Sequence, residues 1–360
     1  MKRTALGLAL ATALTASLAA PGIAQAAPSS SDIPILDRNI TLPVPEELAA
    51  QGSTGVIATA PYNEPAGAIR TTFGQRGPHP VTATAEAHEC TDLVFSIYNQ
   101  ILRFQHGVPG GAPCYDTFPA GEESPVGSKF IYPADIATME KAPLVILSPG
   151  IGAEPGLVSR QAELYASHGY VVALGYSFVN WFGEQVERAA AETIAANQDP
   201  ASPLFGKVDT SQTTLVGHSA GGGSVVRVSE TLEQGAHAAG DNNFHVTGVV
   251  AVNPGPSDFG LASPATTKPV LFTLAENESL VPHPLSRMLY DRATGPKWWA
   301  VVNGSYHGTF TGDPADSVLG GLVLSFAEYT TTHSPRSTEI YQGEGLAQDS
   351  ELHGVERAGV

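Results

Sequence analysis

Short apolar runs recur along the chain from about residue 128. They cover 129–132, 144–147, 170–176, 213–216, 246–252, 269–274 and 298–302. Most are apolar throughout rather than alternating, as expected of strands buried on both faces. Between several of them the spacing changes to that of helices. In EQVERAAAETIAAN, residues 184–197, Val186, Ala190 and Ile194 share one face. Residues 159–167 predict a second helix and 315–330 a closing one. Strand and helix in alternation predict an α/β fold with a mostly parallel, doubly wound sheet covered by helices on both sides. No internal repeat is present.

The first half reads differently. Residues 27–127 are rich in Pro, Gly and Thr and predict an N-terminal extension, with a short strand at 81–85. Leu93, Val94, Ile97, Tyr98, Ile101, Leu102 and Phe104 predict a helix over 92–104. The last stretch, 331–360, is polar and predicts a loose tail. The regular part, 128–330, is then the main domain.

Composition adds the compartment. Lys2 and Arg3, the small apolar run from Ala5 to Ala20, and Ala24-Gln25-Ala26 match a secretory signal over residues 1–26. Export and extracellular location are therefore expected. No later run reaches the 18 uninterrupted apolar residues of a membrane span, so no stable membrane insertion is expected. Cys90 and Cys114 are the only two cysteines. In an exported chain such a pair suggests one disulfide. The chain carries 35 acidic against 18 basic residues. With no basic run, nucleic-acid binding is not expected. A monomer is expected.

Candidate chemistry centres on TTLVGHSAGGGSVV, residues 213–226. Strand formers run into Gly-His-Ser-Ala-Gly. This is the G-x-S-x-G pattern in which a serine sits on a tight strand-to-helix turn, with glycines at 217 and 221 where side chains would collide. The pattern alone is weak, and a Gly-rich loop is its plain alternative. A nucleophilic Ser219 needs a base, an orienting carboxylate and an oxyanion hole. The run KPVLFTLAENESLVP, 268–282, ends near Glu276 and Glu278. The run KWWAVVNGSYHGTF, 297–310, ends at His307. The order serine, acid, histidine and the strand-end positions match that chemistry. Rivals exist: Asp258 and Glu276 for the acid, and His283 for the base. His218 reads as structural. The backbone amides of Ala220 and of Ile151, in LVILSPGIGAEPG, 144–156, are the expected oxyanion donors. Tyr176, Phe178, Trp181 and Phe182 are aromatic candidates for a substrate pocket or, equally, for core packing. No metal-ligand spacing, dinucleotide-binding glycine pattern or phosphate-loop lysine is present, so no metal or cofactor is expected.

These stretches, with KFIYPADI, ASHGYVVALGY, SPLFGKVDTSQTTLVGHSAGGG and VNGSYHGTF, resemble the bacterial cutinase-like polyester hydrolases, which are α/β-hydrolases that include the poly(ethylene terephthalate) hydrolases and are similar to dienelactone hydrolases. The resemblance spans about residues 128–330. It implies an α/β-hydrolase fold, Ser219 as nucleophile, Glu278 as acid, His307 as base, and Ile151 and Ala220 as oxyanion donors. The chain departs from that family at Ala220, where methionine is common, at Ile151, where an aromatic is common, and at Glu278, where aspartate is usual. No tryptophan follows VVAVNPGPSDFG, where the family carries a platform for polymeric substrates. The expectation is therefore a secreted serine esterase acting on small or lipid-like esters through an acyl-enzyme. An acyltransferase or peptidase using the same residues, and a non-catalytic binding protein of the same fold, are the alternatives. The sequons at Asn277 and Asn303 lie in the proposed catalytic loops, where a glycan would block access.

Overall fold

The computed structural model describes residues 28–35, 40–45, 62–90, 113–115, 126–177, 179–255 and 264–360. The expected signal segment, the helix over 92–104, Phe178 and Asp258 lie outside them. Two strands, β1 (Pro28–Ile35) and β2 (Ile40–Pro45), pair antiparallel as a separate two-stranded sheet. The main body then runs α1 (Ala68–Phe73), β3 (Val81–Ala83), β4 (Val126–Pro133), β5 (Ala142–Ser148), α2 (Ser159–Ser167), β6 (Val171–Ser177) and α3 (Glu184–Gln198). It continues through β7 (Val208–His218), α4 (Ala220–Val228), α5 (Leu232–Ala238), β8 (Val246–Val252), β9 (Val270–Asn277), α6 (His283–Arg292) and β10 (Lys297–Tyr306). It ends with α7 (Val318–Thr332), α8 (Pro335–Tyr341), α9 (Gly345–Gln348) and β11 (Leu352–Ala358).

Nine strands form one sheet in the order β11-β10-β9-β8-β7-β5-β6-β4-β3. The six central strands, β5 to β10, are mutually parallel. β4, β3 and β11 add antiparallel edges. The apolar runs divide by the two-residue period of a strand. Val145, Leu147, Val172, Leu174, Val250 and Val252 face one core, with α1, α2 and α7. Leu144, Ile146, Val171, Ala173, Val249 and Ala251 face the other, with α3 to α6. Both faces are dry, which is why the strands read as continuous apolar runs. From β5 the chain steps to β6 on one side, while from β7 it steps to β8 on the other. The strand order thus reverses between β5 and β7. Such a reversal leaves a crevice beyond the carboxyl ends of the two strands, where ligands bind in open α/β sheets.

One expectation about the end of the chain needs correction. Residues 331–360 are not a loose tail: they form α8, α9 and β11, and β11 pairs with β10, Val302 opposite Leu352. The segment reads as polar because β11 is an edge strand, most of whose residues are exposed. Of the extension, α1 packs on α7 and β3 extends the sheet through β4, while β1 and β2 form a sheet of their own.

Glu351, just before β11, is fully buried. It accepts from the Gly67 amide (2.8 Å), the Tyr62 hydroxyl (2.5 Å) and Arg70 Nε (3.1 Å). The other guanidinium nitrogens of Arg70 donate to the carbonyls of Asp316 and Glu64. Asp349 beside it accepts from the amide of Ile69 (2.7 Å). Residues near the two ends of the described body are thus held by one buried, fully bonded ion pair. The Cys90–Cys114 disulfide adds a second tie, with Cα atoms 5.1 Å apart and flanked by a backbone bridge from His88 to Cys114. Among the described residues no helix is long and apolar enough to cross a membrane.

Replacing Arg70 with methionine strands the Glu351 carboxylate in the interior. A loss of about 3–5 kcal/mol in denaturant unfolding is expected, and a loss under about 1 kcal/mol would contradict this account of the pair. Replacing both cysteines with serine is expected to cost about 3 kcal/mol by loop closure. Non-reducing peptide mapping reads the linkage directly.

Candidate functional site

Ser219 follows the last residue of β7 and precedes the first of α4. Its backbone sits at φ 57°, ψ −121°, a region that non-glycine residues rarely adopt. The surroundings impose it. The Ser219 amide donates to the Val252 carbonyl (2.9 Å), and its carbonyl accepts from the amides of Gly223 (3.2 Å) and Gly255 (3.0 Å). A Cβ on Gly217 would lie 2.1 Å from the Gly221 carbonyl oxygen, and one on Gly221 would lie 2.4 Å from that of Pro149. The glycines at 217 and 221 are therefore required by contact. The turn places Ser219 at the N-terminus of α4 and beyond the carboxyl end of β7, in the switch-point crevice.

β5 supplies the opposite wall. Its loop begins Pro149-Gly150, and a Cβ on Gly150 would sit 3.1 Å from Ser219 Cβ and 3.5 Å from Ser219 Oγ. Ile151 follows, 37% exposed at the rim. Ala220 opens α4 and is buried. Its amide belongs to the first turn, which has no acceptor within the helix and lies at the positive end of the helix dipole.

His307 comes from the end of β10 and Glu278 from the end of β9. Their side chains meet: His307 Nδ1 lies 2.7 Å from Glu278 Oε2, with both side chains almost wholly shielded. The other carboxylate oxygen accepts from the amides of Leu280 (2.7 Å) and Val281 (2.9 Å). Burial works to raise the Glu278 pKa. The charge of His307, the hydrogen bond it shares and the two backbone amides outweigh that and bring it down to about 2. Glu278 is thus a carboxylate throughout the neutral range. Glu276, the near rival, points elsewhere and accepts from the Gly304 amide (2.7 Å). His283 contacts the Ala275 carbonyl (2.7 Å) and stands edge-on to Trp299.

His218 packs directly beside His307. Its ring lies 4.8 Å from that of His307 and stacks on Phe310, and its Nε2 donates to the His307 carbonyl (2.8 Å). Asn253, beyond β8, donates from Nδ2 to the same carbonyl (3.1 Å) and accepts from the Ala275 amide (2.6 Å) through Oδ1. It ties the ends of β8 and β9 to the His307 backbone. Asn180 does similar work on the other side, with Nδ2 donating to the carbonyls of Gly150 (2.9 Å) and Ala153 (3.0 Å). Sequence reasoning missed both asparagines. The available signal was their placement a few residues past strand ends, where Asn tolerates the positive φ both adopt, 51° and 46°.

The aromatic candidates separate. Tyr176 is a buried β6 residue whose phenol covers Gly127 of β4. Trp181 is half-buried in the loop after β6, and Phe182 beside it is 60% exposed. Among the described residues six large apolar side chains are exposed. Four of them, Ile151, Val179, Phe182 and Leu280, stand in loops after the carboxyl ends of β5, β6 and β9. The crevice therefore has an apolar rim on a strongly acidic protein. No group of three or more His, Cys, Asp and Glu side chains suited to a metal ion is present among the described residues.

No known family model matches the chain, and no curated protein matches it. The site's chemistry rests on its geometry, which has a measurable signature in acid. The folded pKa of Glu278 lies below its unfolded value of 4.5, so its contribution to stability is full above about pH 4.5 and is lost as pH falls through about 2. Urea unfolding across that window should show the stability gap between the native protein and Glu278→Gln closing as pH falls. A gap independent of pH would contradict the buried ionised pair.

Proposed function

We propose that the protein is an exported serine hydrolase of the α/β-hydrolase fold that cleaves carboxylic esters through an acyl-enzyme, as its resemblance to the cutinase-like polyester hydrolases implies. One observation carries the reading. Ser219 occupies a strained strand-to-helix turn at the switch point, directly after His218, whose ring lies 4.8 Å from that of His307 in the buried His307–Glu278 pair supplied by the ends of β10 and β9. Strain of this kind is retained where the surroundings over-determine it, and it concentrates at functional sites.

Each residue then has a defined part. Glu278 holds His307 through Nδ1, which keeps that proton and leaves Nε2 as the ring nitrogen facing the reaction. Ser219 Oγ attacks the ester carbonyl carbon while its proton passes to His307 Nε2. The carbonyl oxygen gains the negative charge and is met by the amides of Ile151 and Ala220, the latter aided by the α4 dipole. The carbon–oxygen bond to the alcohol breaks, and the alcohol leaves with the proton from His307. Water attacks the acyl-enzyme by the same route in reverse, giving the acid and restoring Ser219. Glu278 takes up no proton in this cycle. Its low pKa suits that role, since it stabilises the imidazolium as a fixed charge.

The apolar rim of Ile151, Val179, Phe182 and Leu280 supports substrates with an apolar acyl or alcohol part. Soluble short- to medium-chain esters are the proposed class. Aromatic polyesters are poor substrates, because the chain carries no tryptophan at the platform position. Export is supported by the Cys90–Cys114 bridge and by the leader-like first 26 residues.

A series of 4-nitrophenyl esters of increasing acyl length tests the reading. Turnover of the short and medium members is expected, abolished in Ser219→Ala. In Glu278→Gln it should fall by roughly 10⁴-fold. Addition of an alcohol acceptor separates hydrolysis from acyl transfer: a product dominated by the new ester in dilute alcohol would make the protein a transferase. No turnover of any ester, with Ser219 unreactive toward organophosphate, would reject the serine-hydrolase reading. Degradation of aromatic polyester film at the rate of a dedicated enzyme would reject the substrate assignment.

A further inference from the structure

We propose that Asn180 is a positioning residue that aims the oxyanion-binding amide of Ile151. The proposal rests on the serine-hydrolase reading given above. Its basis is the geometry of one peptide unit. The Gly150 carbonyl and the Ile151 amide belong to the same planar group, in which C=O and N–H point in opposite directions. Whatever fixes the Gly150 oxygen therefore fixes the direction of the Ile151 hydrogen.

Two donors fix that oxygen. The Ala153 amide reaches it at 3.2 Å, closing a tight turn, and Asn180 Nδ2 reaches it at 2.9 Å. The second hydrogen of the same Nδ2 goes to the Ala153 carbonyl at 3.0 Å. One amide group thus clamps both ends of the 150–153 turn. The clamp is itself held. Asn180 Oδ1 accepts from the Ser177 amide at 2.6 Å, and the Asn180 amide donates to Ser177 Oγ at 2.9 Å. Ser177 Oγ in turn donates to Glu184 Oε1 at 2.7 Å, in the first turn of α3. Asn180 is fully buried and stands at φ 51°. Three of the four side-chain bonding positions are used, and the strained backbone is what brings them to bear. Ser219 lies against Gly150, within contact distance of where a Gly150 side chain would be.

A hydrolytic site needs its donors set before charge develops, because a donor that must turn during the reaction loses its advantage. Asn180 sets one of the two. Its loop also carries Val179 and Phe182, so the clamp anchors the apolar rim as well as the oxyanion side. The effect expected of its loss falls on the transition state rather than on substrate binding.

The test uses the full-length exported protein, with Asn180→Ala and the near-isosteric Asn180→Asp. Asp keeps the volume and the bond from Ser177 but presents carboxylate oxygens to two carbonyls. Removing a whole oxyanion donor lowers turnover about 10²–10³-fold; mis-aiming one is expected to lower kcat on a short-chain nitrophenyl ester roughly 10–100-fold, with KM changed less than about twofold. An alkyl trifluoromethyl ketone, which forms an oxyanion on the serine, should lose affinity by the same factor as kcat/KM. Both variants should still be labelled at Ser219 by an organophosphate. If either folded variant keeps kcat near the native value, or loses KM instead, or keeps native affinity for the ketone, the inference is overturned. If the native protein itself neither hydrolyses the ester nor takes the label, the hydrolase reading falls and this inference with it. The two failures are read from different samples.

Discussion

Everything around Ser219 follows from how closely three pieces of backbone approach one another. The end of β7, the start of α4 and the loop after β5 come together so tightly that the Gly217 position has a carbonyl oxygen 2.1 Å from where a Cβ would be, and the Gly221 position has one at 2.4 Å. Only glycine satisfies those contacts. The residue between them is then forced to a positive φ, and a serine there is held out from both strand and helix. The turn is strained, and it persists because bonds from Val252, Gly223 and Gly255 grip the Ser219 backbone. Stability built elsewhere in the sheet maintains a local conformation that would not form alone.

The same economy of backbone contacts places the other members of the site. Side chains at strand ends are useful only if the loops that carry them stay put, and here buried amides hold those loops. Asn253 and His218 fasten the carbonyl of His307, while Asn180 fastens the carbonyl of Gly150. Each is a short polar side chain in the interior whose donors are satisfied by main-chain oxygen, the arrangement that makes a buried polar group affordable. Glu278 is held by two amides of its own loop as well as by His307, which is why a buried carboxylate keeps its charge.

The frame beneath the site is a sheet buried on both faces, finished at each edge by an antiparallel strand. Closure at the β11 edge depends on polar contacts made at long range. Glu351 and Asp349, next to β11, receive bonds from Gly67, Ile69 and Arg70. These residues sit 280 or more positions apart along the chain. The segment around α1 and the C-terminal segment therefore belong to one body with the sheet.

The sequence by itself determined the parts that depend on local pattern. Continuous apolar runs specify strands buried on two faces, so the central strands and the helices at 159–167 and 184–198 were legible, as was the crowded serine turn with its two glycines. The order of Ser219, Glu278 and His307 at strand ends was also legible. What only the tertiary structure decided was of another kind. The choice of Glu278 over Glu276 depended on which carboxylate reaches His307 Nδ1. The burial of Tyr176 depended on a neighbouring strand from far along the chain. The C-terminal strand looked like a tail because most residues of this edge strand are exposed to water, and its buried anchor is an ion pair whose partner lies near the start of the body. Asn180 and Asn253 carry no periodic signal, since their importance lies in the carbonyls they meet, and those carbonyls are brought to them by the fold. Pattern along the chain reports which surface is removed from water; it does not report which distant polar groups will share a hydrogen bond.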